Sequence, residues 1–240
     1  MSKLRSGYDL INDALRRSDN LGTDEADGRN PRSSVLRLVN TGGAMLWDLL
    51  IEARGPDYFR VDPGFPITTL ANTTAYALPD AFYMLISVAL AGDFGAPLTP
   101  FTSTEEPILR QASTSSDGFP TSYQLRRTGA GASSLAVLPK HDAGQTLTVE
   151  YVPVYTDLVD TKTSTFDGVN GWEEYMSIYA ARCMATDDGE MALVNALDKE
   201  LAEIRGRILK LAPRRDMFRA RRVKDVRGPR IIAGRWGRWR

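Results

Sequence analysis

The chain has 240 residues, 42% apolar and 25% charged, which is ordinary for a folded globular protein and enough for one large core or two modest ones. Its longest apolar run, Phe82–Ala91, is far shorter than the roughly 20 residues that cross a bilayer. The opening MSKLRSGYDL lacks the apolar stretch of a secretory signal, so no membrane association and synthesis in a cytoplasm are expected.

Thirty basic and thirty acidic residues cancel, but they are not evenly spread. From Pro213 to Arg240 there are eleven Lys/Arg against Asp216 and Asp225, a net of +9, leaving 19 basic and 28 acidic residues before them, a net of −9. An acidic body with a basic ending is drawn to negative surfaces, including other copies of the same body.

In chain order, Leu4, Tyr8, Ile11 and Leu15 are spaced for a short helix ending before Asn20. The acidic stretch LGTDEADGRN that follows reads as a surface loop, because Leu21 and Thr23 spoil a calcium-loop register. Asn30-Pro31 opens a second helix, with Pro31 expected at its first position, and Gly55-Pro56 closes it. Gly42 and Gly43 inside it each cost about 1 kcal/mol relative to alanine, which implies either a close backbone neighbour or a kink.

The grammar then changes. Thr74–Leu78, Phe82–Leu90, Ser122–Arg126, Ser134–Leu138 and Gln145–Val152 read as strands set off by Pro, Gly and Asp, with Gly129-Ala130-Gly131 as a hairpin connection. Ser103 and Glu106 form a capping-box signal for a short helix to about Gln111. Together they predict an antiparallel β-region, a sandwich or open barrel.

Phe166–Ala185 is read as the central helix, with Asn170 as its N-cap and Glu173 and Glu174 in its first turn. Trp172, Tyr175, Met176, Tyr179 and Cys183 recur at helical spacing and are the predicted bundle-core residues. A heptad-like seam follows at Val194, Leu197, Leu201, Ile204, Ile208 and Leu211. The expected fold is α+β. Residues 1–56 supply two helices, 57–154 a β-rich insert, 155–212 two closing helices of a four-helix bundle, and 213–240 an extended basic arm.

Signals for catalysis are weak. His141, the single histidine, sits in the turn-like PKHD without a serine elbow, and one His with one Cys does not compose a zinc site. Gly129-Ala130-Gly131 lacks a Lys-Ser/Thr pair and is no phosphate loop; Glu173 and Glu174 diverge by about 100° on a helix and suit capping better than acid–base work. No enzyme activity, cofactor or metal is predicted. The arm is different: Arg230, Ile231, Ile232, Arg235, Trp236, Arg238, Trp239 and Arg240 interleave cations with large apolar side chains, the composition of an interface anchor. Protein docking is the reading preferred over a nucleic-acid arm, because duplex DNA takes aliphatic side chains only by unstacking.

The order of these signals resembles the head-to-tail adaptor (connector) proteins of tailed double-stranded DNA bacteriophages. The resemblance rests on YDLINDAL at Tyr8–Leu15, TAYALPDAFYMLISV at Thr74–Val88, YQLRRTG and LAVLPKHDAGQTLTVEYVPV within Tyr123–Val154, DGVNGWEEYMSIYAA at Asp167–Ala181 and RRVKDVRG at Arg221–Gly228. It implies a homo-oligomeric ring, commonly of twelve copies, beneath the portal protein in the virion neck. Such a ring extends the channel through which DNA passes without sequence-specific binding, and joins a downstream tail or nozzle protein. The resemblance also implies that the C-terminal arm reaches the portal. A DNA-binding virion accessory protein using the Arg/Trp ending is the alternative.

Overall fold

A computed structural model describes residues 4–18, 30–70, 73–91, 97–112, 120–127, 133–139, 143–168 and 171–211. The expected arm, His141, Asn170, the glycine connection at 129–131 and most of the acidic loop lie outside the described residues.

Four helices build one half of the molecule. In α1 (Gly7–Arg17) the N-cap Ser6 accepts from the Asp9 N–H at 3.2 Å and donates its hydroxyl to the Asp9 carboxylate at 2.7 Å, a reciprocal cap. The next helix, α2 (Arg32–Arg54), starts one residue later than read, with Pro31 outside it at the N-cap position. It stops at Gly55, whose φ of +86° suits glycine and whose N–H returns to the Ile51 carbonyl at 2.9 Å. After the β-region the chain comes back as α4 (Glu174–Asp187) and α5 (Met191–Leu211), and α4 packs against α1, α2 and α5. A single core of Leu10, Ile11, Leu46, Leu50, Met176, Ile178, Met184 and Ile208, all essentially without solvent contact, fills the bundle.

Gly42 and Gly43 mark a tight seam. A Cβ on Gly42 would lie 3.2 Å from the Met176 Cα, and one on Gly43 would lie 2.3 Å from the Tyr155 hydroxyl oxygen. Close approach of α4 to α2 is therefore the reason for Gly42, while Gly43 leaves room for the Tyr155 ring and the end of the Met176 side chain.

The other half carries two sheets and a short helix. Antiparallel β2 (Phe65–Thr68), β8 (Thr146–Pro153) and β4 (Phe82–Leu90) form the first, in that order. The second runs β3 (Ala75–Ala77), β7 (Ser133–Leu138), β6 (Ser122–Arg127), β5 (Thr99–Pro100), with β5 parallel to its neighbour. Arg126 pairs with Ser134, so β6 and β7 make the expected hairpin. Ile67, Val88, Leu135, Val137, Leu147 and Val149 join both sheets in one apolar cluster. The opposite face of β7, at Ala136 and Leu138, is covered by Phe101, just after β5, and by Leu109 of α3 (Glu106–Ala112). Burial on both faces accounts for the unbroken apolar run LAVL where alternation would otherwise be seen. The cap of α3 sits one residue earlier than read: the Glu105 carboxylate accepts from the Thr102 N–H at 2.7 Å.

The sequence reading omitted three short strands besides β5: β2, whose Pro66 weakens the strand signal and fits its edge position, and the pair β1 (Arg5–Ser6) and β9 (Thr165–Phe166). A 3-10 turn at Pro56–Phe59 leads from α2 toward the sheets.

Candidate functional site

The central helix differs from its sequence reading in two ways. It begins at Glu174, because Gly171, Trp172 and Glu173 form a turn ahead of it, with the Tyr175 N–H donating to the Trp172 carbonyl. Its buried face is also rotated. Trp172 and Met176 are in the core, but Tyr175, Tyr179 and Cys183 are only half-buried, while Ser177, Ile178, Ala180, Ala181 and Met184 are buried. Small residues let α1, α2 and α5 approach on three sides, and the larger tyrosines are displaced to the margin. Burial raises the Tyr175 phenol above its ordinary range, opposed by the nearby Arg205 guanidinium. Burial likewise raises Tyr179, with Cys183 adding to the effect.

Glu173 and Glu174 part company. Glu173 is fully buried; one carboxylate oxygen accepts from the Gly168 N–H at 2.9 Å and the other has no partner among the described residues. Glu174 instead pairs with Arg17, which also reaches Glu200 at 3.0 Å and so ties α1, α4 and α5 together. Among the described residues no group of three or more His, Cys, Asp or Glu is placed to hold a metal ion, and no helix is long and apolar enough to cross a membrane.

Among the described residues, one feature with room for a ligand is a cleft of about 270 Å³ between α2 and the segment that follows β8. One wall is Trp47 of α2; the other is the returning segment 153–167, which contributes Val154, Tyr155, Phe166 and the exposed carboxylates Asp157 and Asp167. Tyr155 and Phe166 meet edge to face at 5.5 Å, as do Trp47 and Phe166 at 6.2 Å. The indole N–H of Trp47 donates to the Pro153 carbonyl at 3.1 Å.

The returning segment is held by α2 along its length. Asn40 accepts from the Leu158 N–H at 2.8 Å and donates to the Leu158 carbonyl at 3.0 Å, so both backbone groups of one residue are satisfied by one side chain. Arg32 grips Asp160 with two bonds of 2.7 Å and holds that carboxyl below the usual aspartate range, chiefly through hydrogen bonding. Burial pushes the Tyr155 phenol well up, and Asp157 adds to the shift. The cleft's residues gave no periodic signal in the sequence because three separate segments assemble it.

The predicted docking residues Arg230, Ile231, Ile232, Arg235, Trp236, Arg238, Trp239 and Arg240 lie outside the described residues, so the structure brings none of them to the cleft. In comparisons with known proteins, a family model described as SU10 adaptor protein matches residues 6–225. No curated protein matches the chain.

Proposed function

The chain belongs to the SU10 adaptor protein family, whose model it matches over residues 6–225, and from that premise we propose that it is a structural component of the phage neck that assembles as a ring beneath the portal. The ring extends the DNA channel and joins the head to the tail or nozzle protein below. It acts by shape and adhesion, without catalysis or a bound cofactor, at the portal vertex of the virion, after assembly in the host cytoplasm. The observation that carries this reading is the match, which spans both the helical half and the β half.

Charge supports self-assembly and docking. A body of net −9 attracts arms of net +9, and an acidic lumen would let DNA slide without adhering, since like charges repel phosphates. The arm segment Arg230–Arg240 is assigned to the portal, with Trp236 and Trp239 as apolar anchors and the arginines as charged partners.

Deleting Pro229–Arg240 tests the arm. The shortened protein is expected to keep the far-ultraviolet circular dichroism of the full chain but to be missing from purified heads; normal incorporation would overturn the assignment. The alternative, a DNA-binding accessory protein, is favoured by the eleven basic residues after Pro213. It requires duplex affinity that falls steeply with salt and disappears with Arg214–Arg240.

A further inference from the structure

The arm ends in Arg235-Trp236-Gly237-Arg238-Trp239-Arg240, beyond residue 225 where the family match stops, so its chemistry has to be matched to this chain's own surfaces. The cleft between Trp47 and the 153–167 segment has that chemistry in reverse. Its walls are aromatic, its rim carries Asp157 and Asp167, and Val154 beside it is 45% exposed. At about 270 Å³ it lies near the lower end of the roughly 300–1,000 Å³ of small-molecule sites, room enough for one large side chain. An indole seated in the cleft against Trp47, Tyr155 and Phe166 finds ring edges to pack on, and arginines beside it meet carboxylates.

We infer that this cleft seats the C-terminal arm of a second copy of the chain, one tryptophan of the Arg235–Arg240 segment filling it while the adjacent arginines face Asp157 and Asp167. Reach is ample. Between Leu211, where α5 ends, and Trp236 an extended chain covers roughly 80 Å, more than twice the ~30 Å width of a small domain. The opposite and equal charges of body and arm favour pairing between copies, and a chain of zero net charge has no overall repulsion to prevent it. The inference goes beyond the portal reading: it gives the arm a place on a neighbouring copy when no portal is present, and the portal then competes for it.

A photo-crosslinking residue tests this in the full-length chain without portal. Benzoyl-phenylalanine replaces Trp236 in one preparation and Trp239 in another, each mixed with isotopically labelled chain before irradiation and peptide mapping. Cross-links to Val154–Leu158 and Phe166–Asp167 that join labelled to unlabelled chains are expected. Reversing the rim charges (Asp157→Lys with Asp167→Lys) should reduce them about tenfold, and Val154→Arg, at an exposed position, should reduce them by blocking entry. Cross-links elsewhere on the body, or insensitivity to both variants, would overturn the cleft as the seat; cross-links confined to single chains would overturn the second copy. Loss of these cross-links together with normal, arm-dependent incorporation into heads would sink this inference and leave the portal reading standing. Persistent cross-links with arm-independent incorporation would do the reverse.

Discussion

The helical and β halves are held together by different means. In the bundle, α4 is enclosed by three other helices and its core residues come from both ends of the described chain, Leu10 beside Ile208 in one cluster. The β half divides its apolar residues between a cluster shared by the two sheets and a small one under α3; half-buried side chains flank both halves, Phe59 and Tyr175 around the bundle and Phe65 and Phe82 around the sheets. The bundle is thus the part that forms only when the chain's late helices return, while the β half is assembled within 65–153. Where they join, Trp47, the 3-10 turn and the 153–167 segment carry the connection, and Trp47 packs on Phe59 at 4.7 Å. An adaptor built this way has one helical core, two smaller apolar clusters among its strands, and a cleft beside the join.

Matched truncations give the largest effect and test the contrast directly. Met176→Ala, in the bundle, should cost about 2–5 kcal/mol because its neighbours are pinned from three sides; Leu147→Ala, in the sheet cluster, should lie toward the lower end of that range because partly exposed neighbours can close over the gap. Urea unfolding followed by circular dichroism measures both, and a larger loss for Leu147→Ala would reverse the comparison.

Overpacking comes next. Gly43→Ala should destabilise by about 1–3 kcal/mol, since its Cβ would lie 2.4 Å from the Tyr155 Cζ and 2.7 Å from the Met176 Cε. Gly206→Ala, with nothing within 4 Å of the new Cβ, should instead be neutral or stabilising as a helix former replaces glycine. Equal thermal midpoints for the two variants would show that the Tyr155 and Met176 side chains around Gly43 yield more easily than their geometry implies.

The joint itself should respond more modestly. Trp47→Phe keeps a ring against Phe59 and Phe166 but removes the donor to the Pro153 carbonyl, at a cost of about 0.5–1.5 kcal/mol. If the two halves are coupled through this residue, the sheet and helix signals of the variant should separate on heating; a shared, unshifted transition would argue that other contacts carry the coupling.

The smallest effect depends on pH. Arg32 lowers the Asp160 carboxyl in the folded protein, so the folded state binds a proton there less readily than the unfolded chain. The resulting stabilisation is complete above the ordinary aspartate value of about 3.9 and fades as pH falls through the lower folded value. Asp160→Asn should therefore be less stable than the parent by roughly 1 kcal/mol at neutral pH, with the gap closing in acid. A gap that widened in acid would mean the pair is not the source.

Much of this architecture was present in local pattern. Helical spacing located the two early helices and the seam of α5, in which Val194, Leu197, Ile204 and Ile208 are buried, Leu201 is half-buried and Leu211 is exposed past the end of α4. The strand over Phe82–Leu90 and the β6–β7 pairing were legible because turn residues bracket apolar runs. The rotation of α4's buried face was not, since hydrophobicity ranks a tyrosine above an alanine while close helix contact prefers the alanine. Ser6 as a cap was masked because it also closes the two-residue strand β1, too short to have a period.

Sequence alone therefore determined the succession of helix, strand and helix, the opposed charges of body and arm, and the resemblance that the family match later supported. All of these are properties of neighbours along the chain. Tertiary structure alone decided which glycines face a backbone, which of two adjacent glutamates is buried, and that Trp47, Tyr155 and Phe166 enclose one cleft. Those outcomes depend on residues more than a hundred positions apart arriving at the same place, and no local spacing encodes that meeting.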